Sequence, residues 1–219
     1  MKPTQIDQYQ KQSFTAKIRS GHEVTHDVYT RDTEGASKVV VIVQELPGIG
    51  QETLALADHF VKNEYKVVMP HLFGPIGKTS TMGNFVRVMC MRREFHLFES
   101  NQTSPVVDWL KALCQKVKDD YQVKGVAAIG MCLTGNFAIS LMADEAVLAG
   151  YASQPSLPLG KQKALHMSPE DVEAVKNKID QLGEPMLAGR FETDGYCQAP
   201  KFETIDKTFN QDKTRVKLL

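Results

Sequence analysis

The sequence predicts an α/β fold, in which a mainly parallel central sheet is flanked by helices and preceded by an antiparallel hairpin. Three observations predict this fold. Unalternating β-branched runs such as "KVVVIV" are typical of strands that are buried on both faces of a parallel sheet. Segments with helical spacing follow these runs, so that strands and helices alternate along the chain. The 219 residues suffice for one substantial core, and we expect a single domain over residues 1–219.

The first elements are predicted to form a hairpin and then a strand-helix-strand unit. The segments "SFTAKIRS" and "THDVYTRD" alternate around "GHE", which is typical of two antiparallel strands. The run "KVVVIVQELPGIG" predicts a buried strand that ends in a Pro-Gly turn, and "KVVMP" predicts the next strand. Between them, "QETLALADHFVKNEY" has helical spacing, with Leu54, Ala57 and Val61 on one face. This order implies a right-handed crossover between parallel strands.

The second half of the chain continues the alternation. Helices are predicted in "RVMCMRREFHLFES" and in "TSPVVDWLKALCQKVKDD", where Ser104 can cap and Pro105 fits the first helical position. The buried stripe of the latter helix is predicted to consist of Val106, Leu110, Leu113 and Val117. The strand "GVAAIG" and the helix "NFAISLMAD" follow. Strands in "VLAGYAS", "PMLAG" and "RVKLL" then alternate with helices in "SPEDVEAVKNKIDQL" and "APKFETIDKTF".

The composition argues against several classes of protein. Lys plus Arg and Asp plus Glu both number 26, so we expect neither a nucleic-acid partner nor binding to an anionic membrane. The start "MKPTQIDQYQ" lacks the apolar core of a signal peptide, and no apolar run approaches the roughly 20 residues of a membrane span. The four cysteines have no CxxC spacing, which argues against a zinc site and a disulfide scaffold. We therefore expect a cytoplasmic protein without a bound metal.

Cys132 lies at a predicted turn between a strand and a helix, in "AIGMCLTGNFAIS". This is the context of a nucleophile elbow, a sharp turn that needs small neighbours. Gly130 meets that need, but Thr134 stands where a second glycine is expected, and Gly135 is displaced by one position. A thiol at a helix start is predicted to favour the thiolate, and the N–H of Leu133 can stabilise an oxyanion. The alternative is a buried structural cysteine, which is common.

Together, "VIVQELPGIG", "GMCLTG" and the later Asp194 resemble the dienelactone hydrolase family, the Cys-nucleophile branch of the α/β-hydrolase superfamily. The resemblance runs from about Lys38 to the end of the chain. The segment "QELPGIGQETLALADHFVKNEYKVVMPHLFG" resembles the early strand-helix-strand unit of the family, with its Gln-Glu after the first core strand. The resemblance implies an α/β-hydrolase fold and a catalytic site at the carboxyl ends of the parallel strands.

The resemblance also implies a role for five residues. Cys132 matches the nucleophile of the family, and Glu45 matches the glutamate that takes up the thiol proton when substrate binds. The N–H groups of Leu46 and Leu133 would form the oxyanion hole. Asp194, in "GRFETDGYCQAP", matches the acid of the triad, although its spacing to the following proline is longer than in the simplest members.

Several of these roles have alternatives. Glu192 competes with Asp194 as the triad acid, and an Asp before a glycine is also a common turn residue. Glu45 could be a surface loop residue, although ligands bind at this end of parallel strands. Arg92 and Arg93, in "CMRREF", are candidates for binding a substrate carboxylate through the guanidinium fork, or they are solvated helix charges.

The family triad continues from Cys to Asp to His, but no histidine follows Asp194 here. One explanation is that a C-terminal segment bearing the histidine lies beyond Leu219. A second is that His71, just after a predicted strand, has taken over; a third is that catalysis is lost and only a binding pocket is kept. The six histidines of the sequence are His22, His26, His59, His71, His96 and His166.

The sequence therefore predicts a hydrolase of carboxylic esters or lactones, of the carboxymethylenebutenolidase class, that acts through a thioester acyl-enzyme on Cys132. The substrate would be a small-molecule ester or lactone, and we expect no cofactor. We expect a monomer or a weak homodimer. Two alternatives remain at this stage, because a fold does not decide its chemistry. They are a non-catalytic binding protein of this fold and a Cys-dependent thioesterase or acyl transferase.

Overall fold

The computed structural model describes residues 6–74, 76, 82, 83, 86, 103–156 and 163–219, and eight strands within these ranges form one sheet. The strands are β1 (Gln10–Lys17), β2 (Glu23–Arg31), β3 (Lys38–Val43), β4 (Tyr65–His71), β5 (Val126–Met131), β6 (Val147–Ser153), β7 (Met186–Gly189) and β8 (Val216–Leu218). Their order in the sheet is β1-β2-β4-β3-β5-β6-β7-β8. β2 pairs antiparallel with β1 and β4, whereas the other neighbours are parallel. The predicted sheet and hairpin are confirmed.

Five α-helices lie in the described residues, each within a few residues of its predicted position. They are α1 (Gln51–Lys62), α2 (Pro105–Asp120), α3 (Gly135–Leu141), α4 (Pro169–Leu182) and α5 (Ala199–Phe209). α1 ends earlier than its pattern suggests, because Glu64 adopts a left-handed backbone with a φ of 62°. The helix predicted in "RVMCMRREFHLFES" lies outside the described residues. None of the described helices is long and apolar enough to cross a bilayer.

β3 is buried on both faces, as its unalternating sequence predicts. Val41 packs with Trp109 of α2 in one apolar cluster, and Ile42 packs with Leu54 of α1 in the other. All five residues from Val39 to Val43 are at most 2% exposed. The predicted stripe of α2 is buried as well, at Val106, Leu110, Leu113 and Val117. Helices therefore cover both faces of the sheet, and its parallel strands form the centre of the molecule.

The parallel strands β3, β5, β6 and β7 are consecutive neighbours in the sheet. Their carboxyl ends consequently meet at one edge, where open α/β sheets bind ligands. Glu45 follows β3, Cys132 follows β5, and Asp194 follows β7. The topology thus assembles residues that are far apart in sequence.

Candidate active site

Cys132 has the strained backbone of a nucleophile elbow. Its φ of 57° lies in the left-handed region, which is unfavourable for a residue with a side chain. The residue directly follows β5 and opens a 3-10 turn, Cys132–Thr134, which leads into α3. This is the strand-turn-helix geometry that raises a nucleophile above the edge of a sheet.

Two glycines make room for this turn. A Cβ atom on Gly130 would lie 2.0 Å from the carbonyl oxygen of Thr134, so no larger residue fits without moving the backbone. A Cβ atom on Gly135 would lie 2.9 Å from the Cα of Pro155 and 3.1 Å from the carbonyl oxygen of Ser153. Gly130 therefore closes the turn on itself, whereas Gly135 lets α3 approach the loop after β6.

Thr134 occupies the position where the pattern calls for a glycine, and its side chain is fully buried. The hydroxyl accepts the backbone N–H of Met131 at 3.0 Å and lies 3.2 Å from the carbonyl oxygen of Val43, at the end of β3. The threonine is tolerated because its buried hydroxyl has hydrogen-bond partners on both neighbouring strands, Met131 and Val43. It also links the elbow to the strand that carries Glu45.

The thiol of Cys132 has two hydrogen-bonding partners, and the charges of two carboxylates act on it. The Oγ of Ser156 lies 3.3 Å from the sulfur, and the N–H of Leu133 also hydrogen-bonds to it. Burial raises the pKa of Cys132 and outweighs these two bonds, which lower it; the charges of Glu45 and Asp194 raise it further. The N–H of Leu133 at the helix start favours the thiolate, as predicted, but desolvation dominates and the pKa of Cys132 is raised.

Glu45 is partly buried beside this thiol rather than on an exposed loop. Burial and the negative charge of Glu52 raise its pKa, which makes its carboxylate a stronger base than an ordinary glutamate. The carbonyl of Glu45 accepts the N–H of Gly48 at 2.9 Å and closes a turn. Leu46 lies inside that turn and is buried, and the turn's own hydrogen bond does not use its N–H.

Gln44 fixes the end of β3 from which Glu45 projects. Its side chain is fully buried. The amide oxygen accepts the N–H of Leu72 at 2.8 Å, and the amide nitrogen donates to the carbonyl of Phe73 at 3.0 Å. Both partners follow β4, so Gln44 joins the ends of the two neighbouring strands. This explains why a Gln-Glu pair fits directly after the first core strand.

Asp194 lies in the loop between β7 and α5 and is partly buried, whereas the competing Glu192 is exposed. One oxygen, Oδ1, accepts the N–H groups of Tyr196 at 2.7 Å and Cys197 at 3.0 Å. Within the described ranges, Oδ2 makes no hydrogen bond. Asp194 is thus a turn residue, as the alternative proposed, and its charge also acts on the thiol of Cys132.

Among the described residues, no histidine bonds to Cys132 or Asp194. The Nε2 of His71 lies 2.6 Å from the carbonyl oxygen of Gly74, so this histidine is engaged in a local contact. His96 lies outside the described residues, as do the candidate substrate-binding residues Arg92 and Arg93. Across the described ranges, no group of three or more His, Cys, Asp or Glu side chains could hold a metal ion.

The sequence reasoning missed three polar residues behind the thiol, namely Ser156, Asn136 and Lys201. Ser156 lies three residues after β6, and Asn136 lies two residues after the 3-10 turn. Nothing in their local sequence singles them out. Lys201 carries a signal, because it lies on the same helix face as Ile205 and Phe209, both fully buried. A lysine in an apolar stripe requires a polar partner inside the protein.

The model of the dienelactone hydrolase family matches residues 26–219 of this chain. Hydrolase tropI of Talaromyces stipitatus is 25% identical over 126 residues, which cover 57% of this chain. The match covers 46% of that protein, so the chain spans about half the length of this curated relative.

Solved structures of hydrolases share the fold. They include a candidate dienelactone hydrolase from Klebsiella pneumoniae, an esterase from Pyrococcus furiosus and a dienelactone hydrolase-like promiscuous phosphotriesterase from metagenomic libraries. Their TM-scores are 0.61, 0.60 and 0.60, at 15%, 15% and 14% identity. The matches cover 96%, 96% and 95% of this chain and 85%, 82% and 80% of those chains. The fold is therefore the α/β-hydrolase fold.

Proposed function

Because the chain belongs to the dienelactone hydrolase family, we propose that it hydrolyses a small-molecule carboxylic ester or lactone with Cys132 as the nucleophile. The observation that carries the proposal is the left-handed backbone of Cys132 at the carboxyl end of β5. Glu45 and Asp194 support it, since the charges of both carboxylates reach the thiol. A purely structural cysteine would need neither the strained turn nor the two carboxylates.

The first step forms the thioester. The neutral thiol gives its proton to Glu45 and the sulfur attacks the substrate carbonyl carbon; the bond between that carbon and the alkoxide oxygen then breaks, and the alkoxide leaves as the alcohol with the proton from Glu45. Burial raises the pKa of Glu45, which makes its carboxylate a better acceptor for this proton than an ordinary glutamate. The N–H groups of Leu46 and Leu133 stabilise the oxyanion of the tetrahedral intermediate.

The second step hydrolyses the thioester with water. Water needs a general base, which the family resemblance assigns to a histidine that Asp194 orients. Oδ2 is the atom of Asp194 that would accept the N–H of this base, since Oδ1 is occupied by the backbone of Tyr196 and Cys197. Water gives one proton to this base as its oxygen attacks the thioester carbon; the bond between carbon and sulfur breaks, the acid leaves, and the base returns the proton to the sulfur, which restores the thiol.

The test compares Cys132→Ala with Cys114→Ala on p-nitrophenyl acetate and on a dienelactone. Cys114 is a fully buried cysteine of α2 and controls for the loss of a thiol. We expect Cys132→Ala to reduce turnover to the background rate and to remove the acyl adduct from the intact mass, with an unchanged circular dichroism spectrum. Undiminished turnover in this variant would overturn the proposal.

Product analysis with added alcohols or amines separates hydrolysis from acyl transfer. We expect the free acid to be the main product. If the acyl group instead goes mainly to the added acceptor, the protein is an acyl transferase. If Cys132 forms no adduct with any ester and no substrate turns over, the chain is a non-catalytic member of the fold.

A further inference from the structure

Lys201 is a buried lysine that no carboxylate of the described residues neutralises. Its residue is 1% exposed within α5. The Nζ donates to the Oδ1 of Asn136 at 2.5 Å and to the carbonyl oxygen of Ala164 at 2.6 Å. Desolvation lowers the pKa of Lys201 to about 8, which shows how unfavourable this position is for the charged form. A buried ammonium group without a carboxylate partner is unfavourable for folding, so its presence in this helix needs an explanation.

The bond to Lys201 fixes which way the side chain of Asn136 points. An ammonium group can only donate hydrogen bonds, so the amide oxygen must face it and the amide nitrogen must face away. The Nδ2 of Asn136 then donates to the carbonyl oxygen of Leu133 at 3.2 Å and to that of Ser156 at 3.1 Å. Asn136 is 3% exposed, so these bonds lie in the interior.

The two carbonyls belong to the residues that hold the thiol. Ser156 places its Oγ 3.3 Å from the sulfur of Cys132 and donates its own N–H to the Cys132 carbonyl at 3.1 Å. Leu133 supplies the backbone N–H that also bonds to the sulfur. A continuous set of hydrogen bonds thus runs from Lys201 through Asn136 to both donors of the thiol.

We propose that Lys201 is a positioning residue for Cys132, which acts through Asn136 to keep the Ser156 hydroxyl and the Leu133 N–H aimed at the sulfur. The proposal rests on the proposed function, in which Cys132 is the nucleophile. Without the ammonium, the buried Oδ1 of Asn136 loses a donor, and a shift of the amide towards another donor would stretch its bonds to the carbonyls of Leu133 and Ser156. Ser156 and Leu133 would then be held less firmly against the sulfur.

The experiment measures alkylation of Cys132 by iodoacetamide as a function of pH, with peptide mass spectrometry to read each cysteine separately. Lys201→Met removes the donor, and Lys201→Gln keeps a neutral donor as the conservative control. We expect Lys201→Met to raise the midpoint of the pH profile for Cys132 alkylation by about one pH unit. Alkylation at neutral pH should slow about tenfold, as for the loss of one hydrogen bond. Lys201→Gln should restore much of the rate.

A double variant separates positioning from a purely structural role. Ser156→Ala removes the hydroxyl directly, so Lys201→Met should change alkylation less in this background than in the native protein, with only the N–H of Leu133 left for it to act through. Additive effects, or a lowered melting temperature with an unchanged alkylation profile, would overturn the proposal. Glu45 and Asp194, whose charges also act on the thiol, remain unchanged in all these variants.

Asn136→Asp provides a second variant should Lys201→Met fail to fold. It pairs a carboxylate with Lys201 but removes the donor to Leu133 and Ser156. We expect slower alkylation of Cys132 from a folded protein, and an unchanged rate would contradict the proposal. Cys114 reports on folding, because it is fully buried and should react only after unfolding. Since alkylation requires no ester, this readout is independent of whether Cys132 turns over a substrate.

Discussion

The Oγ of Ser156 lies 3.3 Å from the sulfur of Cys132, and the same serine donates its backbone N–H to the Cys132 carbonyl. The loop after β6 therefore holds the elbow at the end of β5 by both main chain and side chain. The hydroxyl also lowers the pKa of the thiol, although burial outweighs it. We therefore expect Ser156 to influence the reactivity of the thiol, although it is neither a proposed triad residue nor a proposed oxyanion-hole donor.

We expect Ser156→Ala to reduce the rate at which p-nitrophenyl acetate acylates Cys132 by three- to tenfold. One hydrogen bond that stabilises the thiolate is lost, which corresponds to about 1 kcal/mol. The midpoint of the pH profile for acylation should rise, because burial raises the pKa of Cys132 and the Ser156 bond that lowers it is gone. Stopped-flow measurement of the first turnover at several pH values gives both the acylation rate and this midpoint. A lower midpoint in the variant would show that the hydroxyl acts as an acceptor from the thiol instead.

The buried hydroxyl of Thr134 is predicted to stabilise the elbow. Thr134→Val removes it while keeping the shape of the side chain, and leaves the N–H of Met131 without this partner. We expect a loss of about 1 to 3 kcal/mol in the free energy of unfolding, measured by urea denaturation. Thr134→Ser retains the hydroxyl and should lose less. Equal stability of the valine and serine variants would mean that the hydrogen bonds of Thr134 contribute nothing.

His71 is not expected to be the catalytic base. Its Nε2 lies against the carbonyl oxygen of Gly74, and it bonds to neither Cys132 nor Asp194. His71→Gln should therefore retain the acylation and deacylation rates within about twofold, a change of only about 0.4 kcal/mol in the barrier. Pre-steady-state kinetics separate the two rates. A variant that accumulates the thioester would show that His71 activates water, and would restore the second explanation for the absent triad histidine.

The parts of the fold that follow from local sequence could be predicted. The run "KVVVIV" is a buried strand because its own residues are apolar, and the small size of Gly130 marks the elbow before any contact is known. Thr134 could not be understood in this way, because its hydroxyl is satisfied by Val43 on another strand. The sequence marks Lys201 only as a lysine in an apolar stripe, and it does not show the acceptors, Asn136 and Ala164, which are far away in the chain.

The predicted effect of the helix start on the thiolate is outweighed by burial for a related physical reason. The helix start next to Cys132 is a local feature, whereas burial depends on everything that packs around the sulfur. The neighbouring carboxylates add to the effect of burial on its pKa. A sequence shows which charges exist but not which of them share one edge of a sheet. The family resemblance implied that Glu45 and Asp194 share a site with Cys132, but that their charges add to burial in raising the pKa of the thiol became visible only in the structure.

Glu45→Gln is expected to change two properties of Cys132 in opposite directions. The charge of Glu45 raises the pKa of the thiol, so its removal should lower that pKa and speed alkylation at neutral pH. The same variant lacks the carboxylate that takes the thiol proton, and ester hydrolysis should fall by about a hundredfold. Alkylation and p-nitrophenyl acetate assays on one preparation measure both effects. Glu52→Gln removes a neighbouring negative charge but keeps the proposed proton acceptor; it lowers the pKa of Glu45 and should reduce hydrolysis far less than Glu45→Gln does. A parallel loss of both rates in Glu45→Gln would mean that Glu45 only holds the structure. Loss of a proton acceptor should slow hydrolysis without slowing alkylation.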